Sequence, residues 1–388
     1  MSVLRIIREE FERRKPLKGT VIGACMHITK ETAVLMRTLR AGGADVYLCA
    51  SNPLSTQDDV AAALAKSGIG VFGWRGETEE EYYLMLDEVI SRDPQVVLDD
   101  GGDLIVRLHE KYPEKLSRVI GGCEETTTGV IRERALAEAG KLSFPVIAVN
   151  NSRIKLMMDN MCGTGQSALD GFMRATNLLI AGKKVVVAGY GWVGSGIAKR
   201  ARGLGARVIV TEVDPVRALQ AVLDGFNVLP MEKAIEEGDI FITATGNVNA
   251  IDERHILNLK DGAILANAGH FNVEVNIEAL KSLSKSVRRI NYCVEEYTLK
   301  NGKKVYLLGE GRLLNLVCGE GHPCDVMDTS FSLQALCTEY IKGVRLEPDV
   351  HPVPIEIENR VAELKLRSMG IQIDELTEEQ REYIKRWK

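Results

Sequence analysis

Four groups of residues in this 388-residue chain read as parts of a binding or reaction site. The first is Gly189-Tyr190-Gly191-Trp192-Val193-Gly194, entered from the apolar run KVVVA and followed by a helical pattern. In such a turn Gly189 permits the tight bend, Gly191 lets backbone approach a pyrophosphate, and Gly194 allows helix to pack closely on strand. The helix start then offers free N–H groups and a positive dipole end to phosphate. The next strand pattern, ARVIVTE, ends in Glu212 at the spacing of a ribose-binding acid, which would favour NAD over NADP. A ligand-free glycine turn is the competing reading, but strand, glycines, helix and acid occur here in order.

The second group is Lys155 and Asp159, four apart in KLMMD, which α-helical spacing would set on one face. On a surface they would be an ordinary ion pair worth about 0.3–0.5 kcal/mol. In a pocket, burial could lower the lysine pKa far enough for it to act as a base. Asp100 ends the apolar run VVL in LDDGGDL, where α/β sheets place ligands, although a solvated glycine turn reads the same way. His27 follows the strand-like TVIGACM and is by itself equally a hydrogen-bonded structural residue.

Around these residues, strand-like and helical patterns alternate along the chain. TVIGACM, ADVYLCA, GVFGW and QVVLDDGG read as strands, separated by helical patterns such as KETAVLMRTLRAGG and TEEEYYLMLDEVI. The rhythm restarts at KKVVVAGYGWVG and runs through ARVIVTEVD, DIFITATG and GAILANAGH. Strands alternating with helices of this length indicate parallel βαβ units, hence an α/β fold with two doubly wound parallel-sheet domains. A helical stretch over 152–180 joins them. After 285 the pattern turns antiparallel, with a hairpin at Asn301-Gly302. A helix is expected over 325–343, then a proline-broken segment. A small C-terminal segment of two helices closes the chain, the last opened by Thr377 and Gln380 in a capping-box pattern.

The net charge of −5 carries no long run of one sign, so a nucleic-acid groove or anionic membrane surface is not indicated. The start, MSVLRIIREEFERRKPL, mixes acids and bases in an amphipathic pattern unlike a signal or transit peptide, and no apolar run reaches bilayer length. A cytoplasmic protein is expected. Its eight scattered cysteines form no CxxC pair and read as buried free thiols, with no metal site.

The stretch VVVAGYGWVGSGIAKRARGLGARVIVTEVDPVRALQA resembles the cofactor-binding signature of S-adenosyl-L-homocysteine hydrolases. CMHITKETAVL, STQDDVAAALAKSGIGVFGWRGETEEEY, LDDGGDL, EETTTGV, NNSRIKLMMDN, NAGHFN and EGRLLNL…GHP resemble further blocks of that family, in family order, from about residue 20 to 330. The resemblance implies a substrate-binding domain at 1–150 and 323–354, an NAD-binding Rossmann domain with its connecting helix at 151–322, and a tail at 355–388. It also implies a mechanism. The ribose 3′-hydroxyl is oxidised with tightly bound NAD, the acidified C4′ proton leaves, homocysteine is eliminated, water adds at C5′, and the ketone is reduced again, so cofactor is recycled each turnover.

Carried over by resemblance, Lys155 and Asp159 handle the 3′-hydroxyl and its proton, and Asn160 positions the nicotinamide side. Asp100 is the base for C4′, and His27 assists at C5′. Thr29, Glu31 and Gln57 resemble substrate contacts, the first two near the purine, and Glu125 resembles a ribose contact. Thr126, Thr127, Thr128 and Asn315 resemble NAD contacts. His270-Phe271 resembles a pair gating the substrate channel, and His322 a nucleoside-contacting histidine. A homotetramer is expected on the same ground.

Three positions depart from the family pattern. Thr164 stands where many members carry cysteine, and Cys162 is out of register with that role. Asn151 replaces the more usual aspartate. The chain ends at YIKRWK, before the lysine- and tyrosine-bearing tail that reaches a neighbour's NAD site in longer relatives, a pattern resembling the shorter, archaeal-type branch. Adenine and hypoxanthine both suit Glu31, which can accept from an amino group or from N1–H; the match at Thr29 and Glu31 favours adenine. Two readings of other classes are a non-catalytic NAD-binding regulatory homologue and a dehydrogenase that releases NADH; the intact Lys155, Asp159, Asp100 and His27 argue against the former.

Overall fold

Strand runs of Val, Ile, Leu and Ala without polar alternation need cover on both faces, which helical crossovers supply. The computed structural model describes residues 1–387 and meets that need twice. The first sheet contains β1 (Val21–Cys25), β2 (Asp45–Cys49), β3 (Gly70–Phe72), β4 (Val96–Asp99), β5 (Gly121–Glu124) and β6 (Val146–Ala148). The second contains β7 (Lys184–Ala188), β8 (Arg207–Thr211), β9 (Asn227–Val228), β10 (Ile240–Thr243), β11 (Ala263–Asn267), β12 (Ser284–Asn291), β13 (Val294–Leu299) and β14 (Lys304–Leu308). A late strand, β15 (Val350–Pro352), returns to the first sheet.

The spatial orders are β15-β6-β5-β4-β1-β2-β3 and β12-β13-β14-β11-β10-β7-β8-β9. Winding therefore reverses between β1 and β4 in one sheet and between β7 and β10 in the other. At such switch points the loops beyond the carboxyl ends diverge and leave a crevice. The expected pair of doubly wound α/β sheets is present.

Two local features differ from the sequence reading. The Asn301-Gly302 hairpin joins β13 to β14, with Gly302 at φ 91°, but β14 also pairs in parallel with β11. The antiparallel strands thus extend the second sheet. The proline-broken EPDVHPVPIEI contains β15, parallel to β6; prolines are tolerated there because the strand lies at an edge.

Helix Ser2–Arg14 buries Val3, Leu4, Ile7 and Phe11 in the first core. Fully burying one such side chain is worth about 1.5–3 kcal/mol. The N–H groups of Val3 and Leu4, orphaned at the helix start, donate to the Asp328 carboxylate at 3.2 and 2.9 Å. Asp328 belongs to helix Cys324–Gly343, which crosses the same core. Helix Ile355–Ser368 docks there through Val361 and Leu364, and the Thr377–Gln380 capping box is formed. All eight cysteines are free and six are buried, but Cys324, the first residue of helix Cys324–Gly343, is exposed and Cys162, in the segment Lys155–Gly163, is only half-buried.

The segment between the sheets departs most from expectation. Lys155–Gly163 is a π-helix, continued by the α-helix Thr164–Thr176. The Thr164 N–H bonds the Asp159 carbonyl five residues back, the wide-turn pattern. Glycines let neighbours approach this widened segment: a Cβ on Gly196 would lie 2.0 Å from the Met161 carbonyl oxygen.

Candidate active site

The carboxyl edges of the two sheets line one cleft, with about 1310 Å³ of empty space counting the part open to solvent. His27 follows β1, Asp100 follows β4, and Glu125 follows β5. From the second sheet, Gly191 follows β7, Thr245 and Gly246 follow β10, and His270 follows β11. All of these residues line the cleft.

Lys155 is 5% exposed, so the surface-pair reading fails. Its Nζ donates to Asn160 Oδ1 at 2.9 Å and Asp159 Oδ1 at 3.2 Å, and lies 3.7 Å from Glu125 Oε1. Asp159 is further held by the Ser330 hydroxyl at 2.9 Å and lies 3.3 Å from His322 Nδ1. The expected lowering of the Lys155 pKa does not occur. Burial alone would lower it, but Asp159, Glu125 and Asp100 together outweigh burial and raise it. Asp159 is held below the carboxylate range, with burial opposed by Lys155 and His322. Burial raises Glu125 despite the nearby ammonium. Glu125 Oε2 accepts from Gln334 Nε2 at 2.5 Å, while Oε1 is buried without a hydrogen-bond partner. That orphaned oxygen beside Lys155 is where a substrate hydroxyl would be satisfied.

A second set surrounds Asp100. His27 Nε2 lies 3.7 Å from Asp100 Oδ2, and His270 Nδ1 lies 3.9 Å from Asp100 Oδ1. Burial lowers His27 to about 3 and His270 to about 4, so both imidazoles are neutral near pH 7. Burial also raises Asp100, against the pull of His270 and Lys155. The tautomer of His27 follows from its neighbour. The Ser55 hydroxyl donates to the Asn52 carbonyl at 3.1 Å and so accepts from His27 Nδ1–H at 2.7 Å. Nε2 is left as a lone-pair acceptor facing Asp100.

Gly101 makes room for His270, since a Cβ there would fall 2.3 Å from His270 Nε2. The loop carrying His270 is held by Asn267, whose Nδ2 donates to the carbonyls of Gly269, Phe271 and Gly311. His270 packs edge-on against Phe271, with ring centroids 4.6 Å apart.

The residues of the cofactor half fit NAD. Gly189 has φ 93°, and a Cβ on Gly194 would fall 1.9 Å from the Gly189 carbonyl oxygen, so both turn and helix approach require glycine. Asn315 Oδ1 is a buried acceptor with no partner, and its Nδ2 donates to Ser167 Oγ at 3.2 Å. Thr126, Thr127 and Thr128 line the cleft. Glu212 accepts from the N–H groups of Tyr190 and Val213, both at 2.6 Å, which braces its carboxylate at the end of β8.

Thr29 caps helix Lys30–Ala41, and with Glu31, His322 and Thr164 it lines the cleft. Thr164 lines the cleft with its Oγ1 3.1 Å from His322 Nε2, whereas Cys162 does not line it. Gln57 lies just outside the lining; its Oε1 accepts from Lys30 N–H at 3.3 Å. Sequence reasoning missed Arg217, Thr245, Ser330 and Gln334. Arg217 stands within the cofactor-binding stretch and could have been singled out as its cation. Ser330 and Gln334 lie on an ordinary helical pattern that carries no such signal.

Residues 160–321 match the family profile described as S-adenosyl-L-homocysteine hydrolase, NAD binding domain, and residues 1–111 match the one described as S-adenosyl-L-homocysteine hydrolase. An adenosylhomocysteinase of Sulfurisphaera tokodaii is 60% identical, covering 100% of this chain and 94% of the relative. An S-inosyl-L-homocysteine hydrolase of Methanopyrus kandleri is 57% identical, covering 100% of this chain and 92% of the relative. Among solved structures, a dipicolinate synthase chain from Bacillus halodurans shares the fold at TM-score 0.53 and 14% identity, over 84% of this chain and 99% of that one.

Proposed function

The chain belongs to the S-adenosyl-L-homocysteine hydrolase family, and on that premise we propose that it hydrolyses S-adenosyl-L-homocysteine reversibly to adenosine and L-homocysteine, with NAD as cofactor. The observation that carries this reading is the buried Lys155 ammonium, held by Asp159 and Asn160 in the same cleft as Gly191 of the glycine turn.

Bound NAD supplies the hydride acceptor that turns the ribose 3′-alcohol into a ketone and returns the hydride at the end of the cycle. Gly191, the three threonines at 126–128, Glu212 and Asn315 would hold it. Lys155 is protonated in the free protein, so it binds the 3′-oxygen as a donor, and the hydroxyl proton passes into the Lys155–Asp159 pair as the alcohol is oxidised. Glu125 Oε1 accepts or donates at a neighbouring ribose hydroxyl. Asp100, raised by burial, takes the C4′ proton made acidic by the ketone. His27 Nε2, a neutral acceptor 3.7 Å from Asp100, takes that proton on and gives it to the departing thiolate, then accepts one from the water that adds at C5′. Thr29 and Glu31 contact the purine, Gln57 supports them from behind, and His322 contacts the nucleoside. His270 closes over Asp100 and excludes water.

A second reading is S-inosyl-L-homocysteine hydrolysis, favoured by the 57% identical relative of that name. The deciding experiment measures thiol release from both nucleosyl-homocysteines by purified protein without added NAD. The S-adenosyl compound is expected to turn over faster. Faster turnover of the inosyl compound moves the assignment, and activity on neither after NAD reconstitution overturns the hydrolase reading. Lys155→Ala should abolish oxidation while the fold persists.

The homo-oligomer, a tetramer in this proposal, is supported by the exposed apolar side chains Val216, Leu219 and Leu223 on helix Pro215–Leu223. Light-scattering mass in solution tests it. Among the described residues no helix is long and apolar enough to cross a membrane, and a cytoplasmic location is proposed with that in view.

A further inference from the structure

The segment EETTTGV brings two adjacent acids to the site, and the function above uses only the second. Glu124, the last residue of β5, is fully buried. Its Oε1 accepts from the N–H groups of Gly101 at 2.9 Å and Thr126 at 2.8 Å. These donors sit in different loops, one carrying Asp100 beyond β4, the other carrying Glu125 and the cofactor threonines beyond β5. One carboxyl oxygen therefore ties the two loops together.

Its other oxygen, Oε2, is buried without a hydrogen-bond donor, and so are both oxygens of Glu133. Glu133 lies on helix Thr127–Glu138, one turn after Gly129 and on the same face. A Cβ on Gly129 would fall 2.1–2.4 Å from the Glu124 carboxyl atoms, so that glycine opens the helix face to the acid beneath it. Ionising both acids would leave three enclosed oxygens, Glu124 Oε2 and both of Glu133, without a donor, whereas an acid O–H passed between the two side chains pairs one oxygen of each and removes one charge.

We propose that Glu124 and Glu133 share one proton, and that this acid–carboxylate pair is the positioning unit that holds the Asp100 loop in register with the Glu125–Thr126 loop. What those loops accomplish rests on the hydrolase reading; the shared proton does not. Burial raises Glu124 well above its ordinary value, helped by Glu133, Asp99 and Asp100, and burial raises Glu133 against the pull of Glu124 and Arg132. The other groups around the pair are already engaged. Asp99 accepts from the N–H groups of Asp100 and Ile105, and Arg132 donates to Asp103 and to the Gly101 carbonyl. Glu125 is occupied by Gln334 on one oxygen.

The test compares the NAD-loaded wild type with Glu124→Gln, Glu124→Leu and Glu133→Gln. Infrared spectra of the resting proteins at neutral pH should show a neutral-carboxyl C=O band that Glu124→Gln lacks. Glu124→Leu should lower kcat/KM for thiol release by at least 10-fold, since it leaves two buried N–H groups unpaired. Glu124→Gln, whose amide can accept from the loops and donate to Glu133, should restore most of that loss. The pH profile separates positioning by a shared proton from packing alone. Wild-type activity should decline at alkaline pH as the proton leaves, and Glu124→Gln should hold its activity to higher pH. An unchanged infrared spectrum with an unchanged alkaline limb in Glu124→Gln would overturn the proposal. If Glu124→Leu does not fold, the two glutamine variants still decide it: Glu133→Gln should also lack the band and hold its activity to higher pH, and a retained band with a wild-type alkaline limb in both would overturn the proposal. Band loss in Glu124→Gln with no thiol release from any protein, wild type included, would instead overturn the hydrolase reading.

Discussion

Lys155 Nζ donates to Asn160 Oδ1 at 2.9 Å, across five residues of chain. In an α-helix, residues four apart share a face and residues five apart do not. The π-helical turn widens the helix, so that Asp159 and Asn160 both reach one ammonium. Asn160 also donates to Asn150 Oδ1 at 3.1 Å, and Asn150 donates to Thr127 at 3.0 Å, linking the lysine to the threonine loop.

Asn160→Leu therefore strips an acceptor from a buried cation and a donor from Asn150. A charge-assisted bond of this kind is worth about 1.5–3 kcal/mol, or about 10–160-fold in rate. The oxidation step, followed as reduced-nicotinamide absorbance in a single turnover, should slow by that factor. An unaltered oxidation rate would contradict the role given to this contact.

Ser55→Ala removes the acceptor that fixes His27 with its proton on Nδ1. With the tautomer free, the step at C5′ should slow about 10-fold, for a loss near 1.4 kcal/mol. Ketone formation should be untouched. Rapid-mixing experiments should show normal early cofactor reduction and delayed thiol release, while slowing of both would place Ser55 elsewhere in the mechanism.

Gly101→Ala meets two obstacles at once. The position has φ 115°, and the new Cβ would fall 2.3 Å from His270 Nε2. Backbone strain of this kind costs about 1–3 kcal/mol, and His270 must shift away from Asp100. The expected outcome is a lower melting temperature together with reduced kcat/KM, measured by calorimetry and thiol release. Wild-type values of both would refute the close packing of this pair.

Acid should destabilise the protein through its buried imidazoles. His27 and His270 titrate near 3 and 4 in the folded protein, against 6.5 for an ordinary histidine. The unfolded chain thus binds more protons between those values. Stability present above about pH 6.5 falls as pH drops toward 4, by on the order of 3 kcal/mol per imidazole. Denaturant titrations across that range should show a shallower loss in His270→Asn than in wild type. An equal slope in both would mean that His270 is not held neutral by burial.

The α/β alternation, the glycine turn with its acid, the Asn301-Gly302 hairpin and the family to which the chain belongs are all legible in the amino-acid order. Those signals are local: each depends on a period, a turn residue or a contiguous block, and all survive in one dimension. The sequence also marked Lys155, Asp159, Asp100 and His27 without settling how they meet. That Lys155 stays charged emerges from the folded chain alone, because Asp159, Glu125 and Asp100 arrive from separate elements and together outweigh its burial. The π-turn, the strand β15 at the sheet edge, and the supports from Ser330 and Gln334 were likewise hidden. Each arises where one segment packs against another distant in the chain, and no local periodicity records such a contact.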